Sequence, residues 1–217
     1  NVLEACRNSR LVTRVIIASS DKAYGSHKKL PYDEQTPLIG MHPYDASKSC
    51  ADLLSQMYFN TYGLPVGITR CGNFYGGGDL NFNRLVPGTI MSVLKNEKPV
   101  VRSDGTYMRD YIYIKDVVDA YMVLAENIDS SKVKGEAFNF GNNDPKSVIE
   151  VVNMILKLMG SSLKPKILNE AEFEIKRQYL LCKKAKDILG WQPKHGIASG
   201  LKETISWYKS FAKRKWV

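Results

Sequence analysis

The stretch LVTRVIIASSDKAYG, residues 11–25, runs from a β-branched apolar segment into a hydroxyl, a carboxylate and an ammonium at Ser20, Asp21 and Lys22. A run of that length and composition is the kind of strand a parallel sheet buries on both faces. Ahead of it, NVLEAC has helical apolar spacing (Val2, Leu3, Cys6) but no N-cap, so the sequence opens inside a helix. A polar loop follows, and then PYDASKSCADLLSQMYFNTYG, with Pro43 at a first helical position, Leu53, Leu54, Met57 and Tyr58 at helical spacing, and a stop at Gly63. LPVGITRCGNFYGGG reads as a second strand ending in a glycine-rich loop. FNRLVPGTIMSVLKN reads as a helix interrupted by Pro87 and Gly88. Strand, helix, strand, helix predicts an α/β fold with parallel strands.

Beyond residue 98 the elements shorten. PVVRSD is a short strand, and RDYIYIKDVVDAYMVLAEN hands a strand over to a helix near Lys115 or Asp116. GEAFNFGN is a further strand, and SVIEVVNMILKLMG a helix with Ser147 as N-cap and Glu150 completing a capping box. KKAKDILGW and GLKETISWYKSFAKR are helical. With no repeat and no low-complexity linker, residues 99–217 are expected to form mainly a small lobe packed on residues 1–98, with segments able to return to the first unit.

Composition narrows the function classes. The 217 residues, 44% apolar, can bury one substantial core or a core plus a small lobe. No apolar stretch approaches the roughly 20 residues that span a bilayer, and the first residues lack a signal-peptide layout, so a soluble chain with no membrane partner is expected. Cys6, Cys50, Cys71 and Cys182 are scattered without a C-x-x-C pair, which suggests neither a zinc site nor a disulfide framework and fits a reducing cytoplasm. His27, His42 and His195 are unlinked and offer no metal-ligand spacing. The net charge of +9 comes from lysines dispersed among acids and clustered only in YKSFAKRKW, read as a solvated helix end rather than a nucleic-acid surface. Excess positive charge also suits a phosphorylated small molecule.

In an open parallel sheet, ligands gather outside the carboxyl ends of the strands, where Ser20, Asp21 and Lys22 are expected to lie. Taken alone, Ser-Asp-Lys reads first as a turn cap, and other residues must change that reading. HPYDASKS adds Tyr44 and Lys48, four residues apart on one helix face. A free phenol titrates near 10, but an adjacent ammonium favours the phenolate, which makes Tyr44 a candidate proton acceptor.

A strand-end serine followed by Y-x-x-x-K resembles the short-chain dehydrogenase/reductase superfamily. TRCGNFYGGG, RDYIYIKDVVDAY, FNFGN and LGWQP are similar to segments of its extended branch, the NAD-dependent epimerases and dehydratases of nucleotide sugars. That resemblance implies a Rossmann-like doubly wound parallel sheet, truncated at its N-terminus, with a small C-terminal α/β substrate-binding lobe. It implies NAD as cofactor, contacted by Ser19, Tyr44, Lys48, Cys71 and Gly72, and a nucleotide-sugar substrate contacted by Asn73, Asn83, Arg84 and Arg109. A homodimer is expected too, through helices that include the one carrying Tyr44. For Arg109 the plain alternative is an ion pair with Asp110 or Asp116, and for Cys71 a buried structural thiol.

Within this branch, an acid after the serine resembles 4,6-dehydratases; Asp21-Lys22 resembles both the CDP-glucose type and the inverting UDP-N-acetylglucosamine dehydratases, and YGGGDLNFNRLVPGTI is more similar to the CDP-glucose type. The resemblance implies a catalytic set of Ser20, Asp21, Lys22, Tyr44 and Lys48: oxidation at C4 with Tyr44 as base, loss of water across C5 and C6 with Asp21 as acid and Lys22 as base, and hydride return to C6. The Lys22 role requires burial and the nearby Lys48 to depress its pKa. A 4-epimerase would need neither Asp21 nor Lys22, and a non-catalytic sugar-nucleotide-binding fragment is the reading from another class. The family's amino-terminal G-x-x-G-x-x-G turn does not occur in these 217 residues, so the first strands of the fold are expected to precede Asn1. Glu174 and Gln178 resemble an E-x-x-x-Q form found in some dehydratases, and Arg177 carries no assignment.

Overall fold

A computed structural model of the protein describes residues 1–170 and 174–215, without the side chains of 214 and 215. Among the described residues the order is α1 (Val2–Asn8), β1 (Val15–Ala18), a 3-10 turn (Asp21–Tyr24), α2 (Pro43–Tyr62), β2 (Val66–Cys71), β3 (Asn73–Tyr75), α3 (Leu85–Leu94), β4 (Val100–Val101), β5 (Met108–Arg109), β6 (Tyr111–Tyr113), α4 (Ile114–Asn127), β7 (Ala137–Phe140), β8 (Lys146–Ser147), α5 (Val148–Leu158), β9 (Lys166–Ile167), β10 (Arg177–Gln178), α6 (Lys183–Leu189) and α7 (Ile197–Lys215).

The central sheet is parallel in the order β1-β2-β7, with Ile17 opposite Ile68 and Ile68 opposite Ala137. All six residues of β2 are buried, as a strand covered on both faces must be. Its side chains alternate between two layers. Val66 and Ile68 pack with Leu3, Cys6 and Tyr58 from α1 and α2, whereas a Cβ on Gly67 would meet Leu124 of α4 at 3.1 Å. Helices therefore cover both faces, the doubly wound arrangement. β1 departs from expectation: only Val15 is buried and Ala18 is exposed, because among the described residues β1 has a strand neighbour on one side only. β7 and α4 lie beyond residue 98 yet belong to this sheet and its covering layer.

A second core joins α3, α5 and α7 through Val86, Ile90, Val151, Ile155, Leu201, Ile205 and Tyr208, with Tyr75, Tyr111 and Tyr113 beneath them. The helix signals behave locally. α2 begins at Pro43 and ends on Gly63 at φ 68°, and Ser147 and Glu150 form the reciprocal capping box of α5. α3 corrects its expectation, because Pro87 and Gly88 do not interrupt it. Pro87 is the third helical residue, where its missing N–H has no intrahelical partner to lose, and a Cβ on Gly88 would sit 2.5 Å from the Phe82 carbonyl. Lys209 and Lys213 stand exposed on α7, and the tip of the basic tail lies outside the described residues.

Candidate active site

The carboxyl ends of β1 and β2 open on a cleft of about 910 Å³. Its lining includes all twelve residues singled out from sequence: Ser19, Ser20, Asp21, Lys22, Tyr44, Lys48, Cys71, Gly72, Asn73, Asn83, Arg84 and Arg109. A smaller adjoining hollow shares Lys22, Tyr44, Asn73 and Arg109 and adds His42, Asp45 and Glu174.

The Ser20-Asp21-Lys22 step is both a cap and a chemical group. Ser20, extended at φ −163°, accepts from the Lys22 backbone N–H at 3.2 Å and caps the 3-10 turn, while its Oγ donates to Asp21 Oδ1 at 3.2 Å. Asp21 is 1% exposed and its Oδ2 has no hydrogen-bond partner, so burial pushes its pKa up and favours the protonated acid. Burial pulls the Lys22 amine down, Asp21 opposes this, and the Arg109 guanidinium depresses it further. The cationic neighbour expected to do this was Lys48, whose ammonium is instead committed to the Ala18 carbonyl at 2.8 Å.

Tyr44 stands one turn before Lys48 on α2, with the Lys48 Nζ 5.8 Å from its ring centroid. It is 56% exposed, facing the open part of the cleft. Two ties hold α2 against the turn carrying Asp21 and Lys22. Ser49 Oγ donates to the Ala23 carbonyl at 2.8 Å, and Arg70 from β2 grips Asp52 of α2 through two bonds of 2.8 Å while reaching the Tyr24 hydroxyl at 3.0 Å. Both side chains of this ion pair are buried, so removing either partner leaves a charge without compensation.

Across the cleft, Arg109 is buried and donates to the carbonyls of Met108 at 2.9 Å and Lys176 at 3.3 Å and to Glu174 Oε2 at 3.4 Å. Its ion pair is with Glu174, not with Asp110 or Asp116. Asp110 accepts from the Asn142 backbone N–H at 2.7 Å, and burial pushes its pKa up to about 6. Asp116 pairs with His195 Nδ1 at 2.8 Å, and His27 Nε2 lies 2.8 Å from the Tyr24 carbonyl. No spacing in the chain announces these histidine contacts, whose partners lie far away in sequence or on backbone carbonyls. Gly72 lets two backbones meet, because a Cβ there would be 2.7 Å from the Asp110 carbonyl. Burial raises the Cys71 thiol pKa, as suits a packing role.

At the mouth, Arg84 pairs with Asp79 at 3.2 Å, and Arg102 donates to Asn83 Oδ1 at 3.2 Å. Sequence reasoning missed Arg102, which belongs to no motif, and assigned no role to Gln178, which is fully buried behind Lys22 and bonded to it.

Residues 1–204 match the protein-family model described as GDP-mannose 4,6 dehydratase. A trifunctional Arabidopsis thaliana protein with UDP-glucose 4,6-dehydratase activity in its name is 31% identical over 212 residues, covering 95% of this chain and 31% of that protein. The dTDP-glucose 4,6-dehydratase of Bacillus anthracis, solved in complex with NAD, superposes with a TM-score of 0.87 at 30% identity over 98% of this chain and 66% of that one. A Thermotoga maritima UDP-glucose 4-epimerase solved with UDP-glucose gives a TM-score of 0.88 at 26% identity, over 97% and 67% of the two chains. The chain thus spans less than two thirds of the first two of these relatives.

Proposed function

The chain belongs to the family described as GDP-mannose 4,6 dehydratase, and from that membership we propose that it carries the chemical and sugar-binding part of an NAD-dependent nucleotide-hexose 4,6-dehydratase. The observation that carries this reading is the buried Asp21-Lys22 step, an acid with raised pKa beside an amine with lowered pKa in the cleft that Tyr44 lines. An epimerase of the same fold has no use for that pair.

The cleft fits the nicotinamide end of the cofactor. Ser19 Oγ is buried in its wall without a partner, and Lys48 and Tyr44 offer polar groups beside it. When bound there, NAD⁺ supplies the hydride acceptor for C4 and the donor for C6. Tyr44 accepts the C4 hydroxyl proton, and Ser20 hydrogen-bonds the same oxygen. The resulting ketone acidifies C5, whose proton the neutral Lys22 amine removes. Asp21 delivers its proton to the C6 hydroxyl, which leaves as water. Lys22 then returns its proton to C5, and the proton held by Tyr44 resupplies Asp21. The product is a 4-keto-6-deoxy sugar.

Arg109 is assigned to the substrate diphosphate, for which a guanidinium fork is suited, with Asn73, Asn83 and Arg84 toward the sugar and nucleoside. CDP-glucose is the preferred substrate, on the similarity of YGGGDLNFNRLVPGTI to that type. A division of labour by layer is also inferred, with the β1-β2-β7 sheet and its helices serving cofactor and chemistry and the α3-α5-α7 unit serving the sugar nucleotide. The exposed Leu53, Leu54 and Met57 on α2 support a homodimer through that helix. Among the described residues no helix is long and apolar enough to cross a membrane, and four free cysteines support a cytoplasmic setting.

The test incubates the intact protein, NAD⁺ and CDP-, UDP- or dTDP-glucose and follows the sugar by mass and NMR. Loss of one water with a new C6 methyl, fastest with CDP-glucose, is expected. A C4 epimer of unchanged mass would move the assignment to the epimerases. Sugar-nucleotide binding in calorimetry with no turnover would favour the binding fragment.

A further inference from the structure

Gln178 is 0% exposed at the end of β10, yet both ends of its amide are spent on the reacting step. Oε1 accepts from Lys22 Nζ, and Nε2 donates to the Asp21 backbone carbonyl at 2.7 Å. Its strand is fixed independently of that contact. Gln178 lies opposite Arg109 in the β10-β5 pair, and two residues on, Leu180 bridges to Tyr32.

We propose that Gln178 is the positioning residue of Lys22: its carboxamide aims the amine into the cleft while withholding a counter-charge. This rests on the reading of Lys22 as the C5 base. A base amine must hold a lone pair toward C5, and a neutral amine still has N–H groups to place. An amide oxygen accepts one of them without stabilising the ammonium as a carboxylate would. Among the described residues, the charged and titratable groups facing Lys22 are Asp21 beside it, Tyr44, His42 and Asp45 from α2 and its N-terminus, Arg109 from β5, and Glu174 ahead of β10. Asp21, Asp45 and Glu174 already favour the ammonium, so a further carboxylate at 178 adds to them in the same direction.

The test compares Gln178→Glu and Gln178→Leu with the parent, as intact protein loaded with NAD⁺. The first readout is the pH dependence with which an amine-reactive acetylating reagent labels Lys22, followed by peptide mass spectrometry, which requires no turnover. Gln178→Glu is expected to raise the labelling midpoint by about one pH unit or more, and Gln178→Leu to leave it unraised. The second readout, with nucleotide-hexose in D2O, is the ratio of C5 exchange to hydride transfer at C4. That ratio is expected to fall about tenfold or more in Gln178→Leu through loss of aim. In Gln178→Glu the rising limb of exchange is expected to move upward with the labelling midpoint. An unmoved midpoint in Gln178→Glu overturns the contact and with it the proposal. An unchanged ratio in Gln178→Leu, or equal losses in both steps, overturns the positioning role in favour of a general packing role. A parent that shows no C5 exchange while the midpoint still moves overturns the base reading of Lys22 and leaves only the contact.

Discussion

The two ends of the cleft are built on opposite principles. At the floor, Asp21 and Gln178 are almost fully buried, and the Arg70 and Asp52 side chains are 4% and 0% exposed. At the mouth, the Arg84 side chain is 61% exposed and its partner Asp79 lies in a loop. Burial is what shifts the acid and the amine at the floor, because desolvation disfavours whichever form is charged. The mouth keeps its cations in water, where attraction to a phosphorylated ligand is screened and each contact contributes little. Under the proposed function, the acid Asp21 thus sits where the chain is tied down and Arg84 where it is open, while the exposed Tyr44 and the buried Arg109 lie between these extremes.

That contrast orders the effects of substitution. Asp21→Asn should slow water loss about 10²–10³-fold while leaving sugar-nucleotide affinity within a factor of a few, read from product formation and calorimetry. Undiminished dehydration would remove Asp21 from the acid role. Arg70→Met strips a buried carboxylate of its partner and should destabilise the protein by about 3–5 kcal/mol in denaturant unfolding.

Asp110 offers a sharper probe, since its folded pKa of about 6 lies above the ordinary carboxylate value. A raised folded pKa means that stability is present below the unfolded value and is lost as pH rises through the folded one, here between about pH 4 and 6. Asp110→Asn removes that loss, so the variant should gain on the parent by up to about 3 kcal/mol between pH 4 and pH 7. A stability difference independent of pH would show that folding leaves the Asp110 pKa unshifted. Smallest of all, Arg84→Ala should raise KM no more than about fivefold. A loss comparable with Asp21→Asn would erase the distinction between floor and mouth.

Much of this was legible because its signals are local. Pro43, Gly63 and the Ser147-Glu150 box set helix ends through neighbouring backbone groups, and Tyr44 and Lys48 meet by helical spacing alone. The cleft was legible because a strand's carboxyl end fixes where its next residues point. What could not be read depends on distant partners. The one-sided pairing of β1 among the described residues depends on which strands flank it, and Arg109 takes Glu174 rather than the acid next to it. Gln178 meets Lys22 across 156 residues, with no spacing rule to announce it. Pro87 is ambiguous for a different reason: a proline that starts a helix and one that breaks it differ only in where the first turn lies.

The most direct test of the floor is Lys22→Met, assayed for deuterium incorporation at C5 of the hexose in D2O. The parent is predicted to incorporate solvent deuterium at C5. The variant is predicted to incorporate none while still reducing its cofactor in a single turnover. Incorporation at the parental rate in the variant would contradict the account, because another group would then be removing the C5 proton.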